Sequence, residues 1–491
     1  MRNRRNTRKR NVVLDTITNR NFIIIVSILL AVIIVAEGVI QIRKYQDRKL
    51  LAKQAEELEK QTGEIFTAIE NNLTSPSNNG ETTVITRTAR ISAVGDILCQ
   101  MDMIDDAKID DGYDFSHMFT GISKFVKNSD IAIGTLETNF VDGKYSGVGK
   151  YNSPIEFLKA VKDSGIGLVS LAHNHVLDYG YQGLETTLSK IKEQNVEITG
   201  IKNKVDESNE NTLDEEKTKE QESSNFTGNI KEINGTKVAF LGYTYGLSNE
   251  NEITDEEKKS ANIYSEELAQ KDIEYAKQNS NYIIAIMHWG DVNSSEISEY
   301  QRNITAFLVK NGVDMILGSH PSVVEPMEII QTEEGKNVLV AYSLGNYIST
   351  LKYANADVEL ILNIQIAKSL DSDKAVLQKV DYTPIYVLDN GTKAENRFEL
   401  TDMKKLAQDY ANGDTSRISR KTYDSIISKL EKLQSTVNSK QEGNKKMNVG
   451  FISLGCSKNL VDTEMMIGIF KENEFNIVNN PKIADVIVIN T

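Results

Sequence analysis

The stretch that decides the fold is Leu168–Gly180, which reads LVSLAHNHVLDYG. Leu168–Leu171 is a short apolar run, as is typical of a buried strand. A loop with two histidines, an asparagine and an aspartate follows this run directly. Because ligands bind beyond the carboxyl ends of strands in open α/β sheets, we expect this loop to lie at a functional site.

The same succession of apolar strand and polar loop recurs across residues 89–387. Further strands are predicted at Arg90–Val94, Ile131–Thr135, Val238–Gly242, Tyr282–Met287, Asp314–Leu317 and Val338–Tyr342. Amphipathic helices are predicted at Ile155–Lys162, Gly183–Gln194, Glu266–Gln278 and Ser298–Asn311. Strands that alternate with helices in this way indicate an α/β fold.

Six of these strands run into acidic, amide or imidazole side chains. The motifs are Gly95-Asp96, Leu136-Glu137, the loop 172–178, His288-Trp289-Gly290-Asp291, Gly318-Ser319-His320-Pro321 and Ser343-Leu344-Gly345-Asn346. Four of the five histidines fall in these loops, and only His117 lies elsewhere. We therefore predict that one polar site lies at the carboxyl edge of the sheet.

The chemistry of these side chains favours divalent metal ions. Carboxylates, amides and imidazoles without cysteine suit Mn, Fe, Zn or Mg. Carboxylates from two strands could flank a pair of ions that clamps the attacking and leaving oxygens of a displacement. His175, beside Asn174, would then protonate the leaving oxygen. Taken singly, His288 is as consistent with a structural histidine, Asn346 with a turn and His173 with a residue that orients its loop.

In order and spacing the six motifs resemble those of the bacterial CapA family of capsule and poly-γ-glutamate synthesis proteins, over about residues 90–387. The resemblance implies a four-layer αββα sandwich of the calcineurin-like metallophosphoesterase type. It implies metal ligands at Asp96, Glu137, Asn174, His288 and His320. His175, as the acid, and Asp178 are the candidate catalytic residues.

Two features depart from the pattern of that family. No Asp-x-His motif, which opens many metallophosphoesterases, precedes Gly95-Asp96. Ser322 stands where the family usually has a second histidine after His320. Loss of an imidazole would weaken or abolish one metal site. A non-catalytic scaffold that organises a polymer synthase is therefore kept as the alternative to an enzyme.

The amino-terminal residues predict one membrane anchor. The first ten residues carry six basic side chains, and Phe22–Ile40 is apolar apart from Ser27 and Glu37. A helix of this length, at about 1.5 Å per residue, nearly spans a bilayer core of about 30 Å. The basic flank predicts a cytoplasmic amino terminus and an extracellular main domain. A cleaved signal peptide is the alternative, although no A-x-A-like site follows the run.

Composition divides the rest of the chain. We expect a cytoplasmic tail at 1–21, the anchor at 22–42, a stalk and linker at 43–85, the main domain at 86–390 and a polar helical tail at 391–446. Residues 202–224 hold eight acidic residues, four lysines and no aromatic residue, which predicts a disordered surface insert. A net charge of −14 without a basic patch beyond the first residues argues against nucleic-acid binding.

Residues 447–491 differ in character from the chain before them, with a strand, a Gly-Cys turn, an apolar helix and a second strand. The sequence MNVGFISLGCSKNLVDTE resembles the amino terminus of the RimO-type radical-SAM methylthiotransferases, and Cys456 matches their first cluster-binding cysteine. One cysteine cannot supply the three or four thiolates of an iron–sulfur cluster, so no cluster is expected. We interpret the segment as the truncated start of a separate protein joined by accident. A genuine small α/β appendage is the alternative.

These observations predict a single-pass membrane protein of capsule or poly-γ-glutamate synthesis, with a metal-dependent hydrolase or transfer site outside the cell. The expected partners are the membrane, the subunits of a polymer synthase, and poly-γ-glutamate or another envelope polymer. A methylthiotransferase function, which would rest on Cys456 alone, is the remote third hypothesis.

Overall fold

The computed structural model describes residues 24–43, 45–47, 49–54, 56, 86–202, 226–351, 353, 355–370 and 372–438, and the backbone of strands at 448–453, 476–478 and 486–490. The chain divides into two compact units, Met1–Asn438 and Ser439–Thr491. The predicted cytoplasmic tail, nearly all of the acidic insert and Cys456 lie outside the described residues.

In the first unit the described helices are α1 (Ile24–Gln54), α2 (Met101–Asp106), α3 (Ser116–Phe119), α4 (Ser123–Val126), α5 (Ile155–Ser164), α6 (Gly180–Glu193), α7 (Asp255–Lys258), α8 (Glu266–Asn279), α9 (Glu299–Lys310), α10 (Met403–Ala411) and α11 (Arg420–Val437). The strands are β1 (Thr86–Ile97), β2 (Lys108–Ile109), β3 (Gly112–Tyr113), β4 (Ile131–Leu136), β5 (Ser146–Val148), β6 (Lys150–Asn152), β7 (Leu168–Ser170), β8 (Glu197–Thr199), β9 (Asn229–Ile233), β10 (Thr236–Thr244), β11 (Tyr282–His288), β12 (Met315–Ser319), β13 (Met327–Gln331), β14 (Asn337–Ala341), β15 (Asn346–Ile348), β16 (Val358–Ser369), β17 (Ala375–Asp389) and β18 (Phe398–Asp402). Each of the seven predicted strands and four predicted helices has a counterpart among these elements.

Two sheets form the centre of the first unit. The larger sheet, as far as the structure describes it, has eight strands in the order β18-β17-β16-β1-β4-β7-β8, with β15 beside the end of β1. Strands β1, β4, β7 and β8 are parallel, so β1, β4 and β7 end at the same edge. Strands β16, β17 and β18 extend the sheet in antiparallel fashion.

The smaller sheet has the order β13-β14-β12-β11-β10-β9. Its four inner strands, β14, β12, β11 and β10, are parallel, and β9 and β13 are antiparallel edge strands. The strand ends that carry His288 and His320 therefore lie together at one edge of this sheet.

Alternating side chains of single strands build the layers. On β10, Val238 and Phe240 pack into the apolar core shared by the two sheets, while Ala239 and Leu241 pack against α8 and α9 on the outer face. This division follows from the two-residue period of a strand. A third core lies between the larger sheet and helices α2–α6. The order helices, sheet, sheet, helices confirms the predicted αββα sandwich.

The compact unit continues beyond residue 390, where the sequence suggested a polar helical tail. Strand β18 pairs with β17, and α11 buries Ile426, Leu430 and Leu433 in the core that the sheets share. These three residues recur at the spacing of one helix face, so α11 has an apolar side to bury. The compact unit therefore extends to Asn438.

Helix α1 is, among the residues that the structure describes, the one helix long and apolar enough to cross a membrane. It covers most of the predicted anchor and continues to Gln54, into the predicted stalk. Length and composition thus agree with a membrane anchor near the amino terminus.

The second unit contains three described strands, β19 (Asn448–Ser453), β20 (Asn476–Val478) and β21 (Val486–Asn490). Strand β19 pairs in parallel with both of the others. The first and last of these strands match the two that the sequence predicts, while β20 was not predicted. The predicted helix and the Gly-Cys turn lie outside the described residues.

Candidate metal centre

The strand ends of both sheets bring the predicted site residues together. Asp96 is the second-last residue of β1, Glu137 follows β4, and Asn174 and His175 follow β7. His288 is the last residue of β11, and His320 follows β12. All except His175 are buried, and the His175 side chain is 13% exposed. The site is therefore a nearly closed polar cluster that opens to solvent on the His175 side.

Two glycines allow the chain to pass close to the cluster. A Cβ atom on Gly95 would lie 1.8 Å from the carbonyl oxygen of Gly345, and one on Gly318 would lie 1.8 Å from the carbonyl oxygen of Tyr342. Neither position therefore accommodates a side chain. Gly95 directly precedes Asp96, and Gly318 lies two residues before His320. Close packing of the strand ends therefore determines where Asp96 and His320 lie.

Unusual backbone geometry accompanies these close contacts. The register between β1 and β4 shifts between Ala93 and Asp96, and such bulges often re-aim a side chain next to an active site. His320 has a φ of 101° and Ser322 a φ of 59°, values in the left-handed region that side chains other than glycine rarely adopt. Backbone strain of this kind is concentrated at functional sites.

Four side chains converge on one point. Glu137, His288 and His320 each offer one ligand atom, and these atoms lie within 4.8 Å of one another. His288 Nε2 lies 2.8 Å from Asn174 Oδ1, 3.1 Å from His320 Nδ1 and 3.9 Å from Glu137 Oε1. Imidazole, carboxylate and amide ligands suit divalent ions such as Zn²⁺ and Mn²⁺. In the described part of the chain, no other trio of His, Cys, Asp or Glu meets this spacing.

Asp96 lies on the other side of the His288 ring. Its Oδ1 is 3.2 Å from His288 Nδ1, and its Oδ2 accepts a hydrogen bond of 2.7 Å from the backbone N–H of His320. The contact of Oδ1 lacks the geometry of a hydrogen bond, so this buried oxygen has no hydrogen-bond partner. Burial of two neighbouring carboxylates, Asp96 and Glu137, is costly unless a positive charge lies nearby, and the cluster as a whole therefore fits a bound cation.

His175 and Asp178 form a pair at the open side of the cluster. His175 Nδ1 lies 2.9 Å from Asp178 Oδ2, which also accepts a 2.8 Å hydrogen bond from the backbone N–H of Tyr151. The other ring nitrogen, Nε2, lies 3.9 Å from Glu137 Oε1 and 3.3 Å from Ser248 Oγ. A carboxylate that holds Nδ1–H leaves Nε2 available for proton exchange with a ligand.

Burial shifts the pKa values of three side chains in and beside the cluster: Glu137, His173 and His320. Burial and, secondly, the charge of Asp96 raise the pKa of the Glu137 carboxyl well above its usual range. Burial and the neighbouring His288 lower the pKa of His320 to about 2, and burial also lowers the pKa of His173 well below its usual range. The last two imidazoles are therefore neutral, the form that binds metal ions.

Ser248 is the site residue that the sequence did not single out. It lies in the loop after β10, accepts a hydrogen bond from Asn174 Nδ2 and donates its backbone N–H to the Asn174 carbonyl oxygen at 2.9 Å. Its only sequence signal is its place shortly after a predicted strand end. The serine fixes the direction of the Asn174 amide, because Nδ2 must point to it and Oδ1 then points to His288.

The remaining candidates have other surroundings. His173 Nδ1 accepts a 3.2 Å hydrogen bond from the backbone N–H of His175, in agreement with a role in orienting the loop. Asn346 pairs with Asp96 in the parallel ladder of β1 and β15, and its Oδ1 is buried without a partner. His117 lies outside the cluster, 2.9 Å from Asp106.

These observations define the class of protein: an αββα domain with a cluster of potential metal ligands at its strand ends. Residues 90–220 and 217–351 match the model of the family described as "Bacterial capsule synthesis protein PGA_cap". This match covers more than half of the 491 residues, and the chain belongs to that family. The predicted relationship to capsule and poly-γ-glutamate synthesis proteins is thereby confirmed.

Two curated relatives carry corresponding names. The chain is similar to "Capsule biosynthesis protein CapA" of Bacillus anthracis, with 27% identity over 268 residues, which cover 52% of this chain and 59% of that protein. It is also similar to "PGA biosynthesis protein CapA" of Bacillus subtilis (strain 168), with 25% identity over 193 residues, which cover 39% of this chain and 45% of that protein. The chain thus spans about half the length of these relatives.

Solved structures with a similar arrangement include the calcineurin-like phosphoesterase YfkN from Bacillus subtilis, with a TM-score of 0.35 and 15% identity over 70% of this chain and 99% of that chain. The NAD nucleotidase NadN of Haemophilus influenzae has a TM-score of 0.35 and 15% identity over 71% of this chain and 60% of that chain.

The end of the chain matches a different family. Residues 448–491 match the model described as "Uncharacterized protein family UPF0004". Over 45 residues the chain is 73% identical to "Ribosomal protein uS12 methylthiotransferase RimO" of Alkaliphilus oremlandii, which covers 9% of this chain and 10% of that protein. The predicted similarity of this segment to the amino terminus of such methylthiotransferases is confirmed.

Proposed function

We propose that this protein acts in the assembly of a capsule or of poly-γ-glutamate at the cell envelope, as a membrane-anchored domain with a divalent metal site. The observation that carries the proposal is the convergence of Glu137, Asn174, His288 and His320, with Asp96 beside them, at the carboxyl ends of the strands. Family membership supports the link to envelope polymers. Helix α1 supports the anchor.

The donor set gives each residue a role in hydrolysis or transfer. A divalent ion held by these side chains, whether Mn, Fe, Zn or Mg, would activate a water molecule and polarise a phosphoryl or acyl oxygen. His175, held through Nδ1 by Asp178, donates a proton from Nε2 to the leaving oxygen or nitrogen. The buried walls of the cluster exclude bulk water and so strengthen these electrostatic effects.

The sequence on either side of the anchor supports a site outside the cell. The basic residues that precede α1 favour a cytoplasmic amino terminus, so the αββα domain lies on the outer face of the membrane. Its partners there are the subunits of a polymer synthase and the polymer that they export. The carboxyl-terminal segment, with Cys456 as its one cysteine, has no part in this activity.

Metal analysis of the purified full-length protein tests the proposal. The matched variants are the double substitution Asp96→Ala with His288→Ala, and His117→Gln, which alters the histidine outside the cluster. We expect bound Mn, Fe or Zn in the wild-type protein and in His117→Gln, and none in the double variant. Turnover of a phosphodiester or of poly-γ-glutamate should be lost together with the metal. An equal metal content in all three proteins would contradict the proposal.

A non-catalytic scaffold of the polymer synthase is the second candidate, and Ser322 is the observation that favours it. Ser322 is buried and stands in place of an imidazole that the family resemblance leads one to expect. Its Oγ lies 3.5 Å from the carbonyl oxygen of His320. A protein that binds no metal and turns over neither substrate, but that supports polymer export in cells when Asp96 and His288 are replaced, would be such a scaffold.

A further inference from the structure

We propose that this centre takes a single divalent ion, bound by Glu137, Asn174, His288 and His320, and that Asp96 is a positioning residue for two of these ligands. The inference rests on the proposed metal site and specifies its nuclearity. It differs from the sequence-based expectation of two ions with Asp96 as a ligand.

The two nitrogens of the His288 ring face different groups. Nε2 faces Asn174 Oδ1 and His320 Nδ1, at 2.8 and 3.1 Å. Nδ1 faces Asp96 Oδ1 at 3.2 Å and has Ser319 Oγ as its hydrogen-bond partner at 3.3 Å. An ion bound through Nε2 lies on the far side of the imidazole from Nδ1, and therefore on the far side from Asp96 Oδ1. A carboxylate beside the second nitrogen of a metal-binding histidine is a common arrangement, because it fixes the tautomer and the orientation of the ring.

The other oxygen of Asp96 positions a second ligand. Asp96 Oδ2 accepts the backbone N–H of His320, at 2.7 Å, across 224 residues of sequence. His320 has a φ of 101°, a conformation that needs support from its surroundings. One carboxylate thus contacts the side chain of His288 and the main chain of His320, and it joins the larger sheet to the smaller one at the site.

A second ion would need further donors around Asp96. Among the residues described by the structure, no three His, Cys, Asp or Glu side chains that include Asp96 converge as Glu137, His288 and His320 do. Two buried groups with unpartnered atoms are associated with Asp96: Asn346 Oδ1, on the residue that pairs with Asp96 in the ladder of β1 and β15, and the Glu359 carboxyl, whose pKa the charge of Asp96 helps to raise. These two residues are therefore the ones whose replacement distinguishes one ion from two.

With a single ion, a protein side chain has to perform one of the tasks that a second ion would otherwise perform. Two ions can stabilise the attacking and the leaving oxygens together, whereas one ion stabilises only one side of the displacement. The other side then depends on a protein group, and His175 is the group placed for it. Its Nε2 is 3.9 Å from Glu137 Oε1, and its side chain is 13% exposed.

Titration of the metal-free, full-length protein with Mn²⁺ tests the inference. We expect calorimetry to give one Mn²⁺ per chain and electron paramagnetic resonance to give the hyperfine pattern of an isolated ion. Asp96→Asn should keep a stoichiometry of one and weaken binding about 10- to 100-fold. Glu137→Gln, which removes a ligand charge, should weaken it further. Glu359→Gln and Asn346→Ala should leave stoichiometry and affinity unchanged.

Each contrary outcome has a distinct meaning. Two Mn²⁺ per chain with a spin-coupled spectrum, reduced to one in Asp96→Asn or Glu359→Gln, would overturn the single-ion inference while leaving the proposed metal site intact. Unchanged affinity in Asp96→Asn would refute the positioning role. Absence of Mn²⁺ binding in a folded wild-type protein, as judged by circular dichroism, would instead contradict the proposed function itself.

Discussion

Replacement of Ser248 by alanine should weaken metal binding although the residue is not a ligand. Ser248 Oγ accepts the hydrogen bond of Asn174 Nδ2, and this contact directs Asn174 Oδ1 towards His288 Nε2, 2.8 Å away. In Ser248→Ala the amide loses this acceptor and is free to turn over. A turned amide would present its NH₂ group, which cannot bind a cation, to the cluster.

The size of the effect follows from the contact that is lost. One neutral hydrogen bond contributes about 1 kcal/mol, which corresponds to about a fivefold change in a dissociation constant. Residues that orient metal ligands typically change affinity by about 10- to 100-fold when they are replaced. We therefore expect the Mn²⁺ dissociation constant of Ser248→Ala to rise between about fivefold and a hundredfold.

Calorimetric titration of the full-length protein measures this change directly. Ser248→Thr, which keeps the hydroxyl, should bind Mn²⁺ as the wild type does. Ser294→Ala, which removes the hydroxyl of a half-buried serine that bonds to the Glu296 backbone in the loop after β11, is the matched control and should also have no effect. Wild-type affinity in Ser248→Ala would refute the proposed orientation of Asn174 and with it the amide's place among the ligands.

Three further substitutions test other parts of the account. In Gly318→Ala the new Cβ would lie 1.8 Å from a backbone carbonyl oxygen, so the free energy of unfolding should fall by at least about 2 kcal/mol. Gly246→Ala, where the space around the new Cβ is open, should leave the free energy of unfolding unchanged. Burial raises the pKa of Glu325 from 4.5 to about 8, so the folded state retains a proton that the unfolded state releases, and stability falls as pH rises through this range. Glu325→Gln should therefore raise the denaturation midpoint more at pH 8 than at pH 5, and an equal shift at both would refute this assignment. Asp178→Asn should keep the metal content and lower turnover by about 10²- to 10⁴-fold, because His175 loses the partner of Nδ1; unchanged turnover would exclude the pair from the reaction.

The parallel strands could be predicted because their signals are local. The apolar run Leu168–Leu171 and the polar loop after it are adjacent in sequence, and the same is true of Tyr282–Met287 and His288. Parallel pairing places such strand ends at one edge whatever the length of the connections. Within each sheet, the meeting of these strand ends could therefore be predicted without knowledge of the pairing order. Asp96, Glu137 and Asn174 come from the larger sheet, and His288 and His320 from the smaller one.

The antiparallel strands, and Ser248 as the residue that supports a ligand, could not be predicted from local sequence signals in this way. On β16, Val358, Leu360 and Leu362 alternate with other residues and pack into the shared core, but no histidine or asparagine follows the strand to mark it in the sequence. Strand β18 is short and lies at the sheet edge, so Phe398–Asp402 resembled the start of a helical tail. Ser248 contacts Asn174 across 74 residues, and no spacing rule connects two such positions.

The role of Asp96 shows the same limit. Its place at the end of β1 predicts a polar site, but whether it binds an ion or orients a ligand depends on which nitrogen of His288 it faces. That nitrogen depends on how the strand ends pack, where Gly95 passes against Gly345 and Gly318 against Tyr342. Geometry at the strand ends, rather than residue type, separates a ligand from its supporting residue.

The most direct test of the metal centre is anomalous diffraction from crystals of the full-length protein grown with Mn²⁺. We predict one anomalous peak per chain, bounded by Glu137 Oε1, Asn174 Oδ1, His288 Nε2 and His320 Nδ1, with Asp96 beside His288 Nδ1 rather than bound to the ion. A map without a peak at the strand ends, from crystals in which these side chains are ordered, would contradict the account.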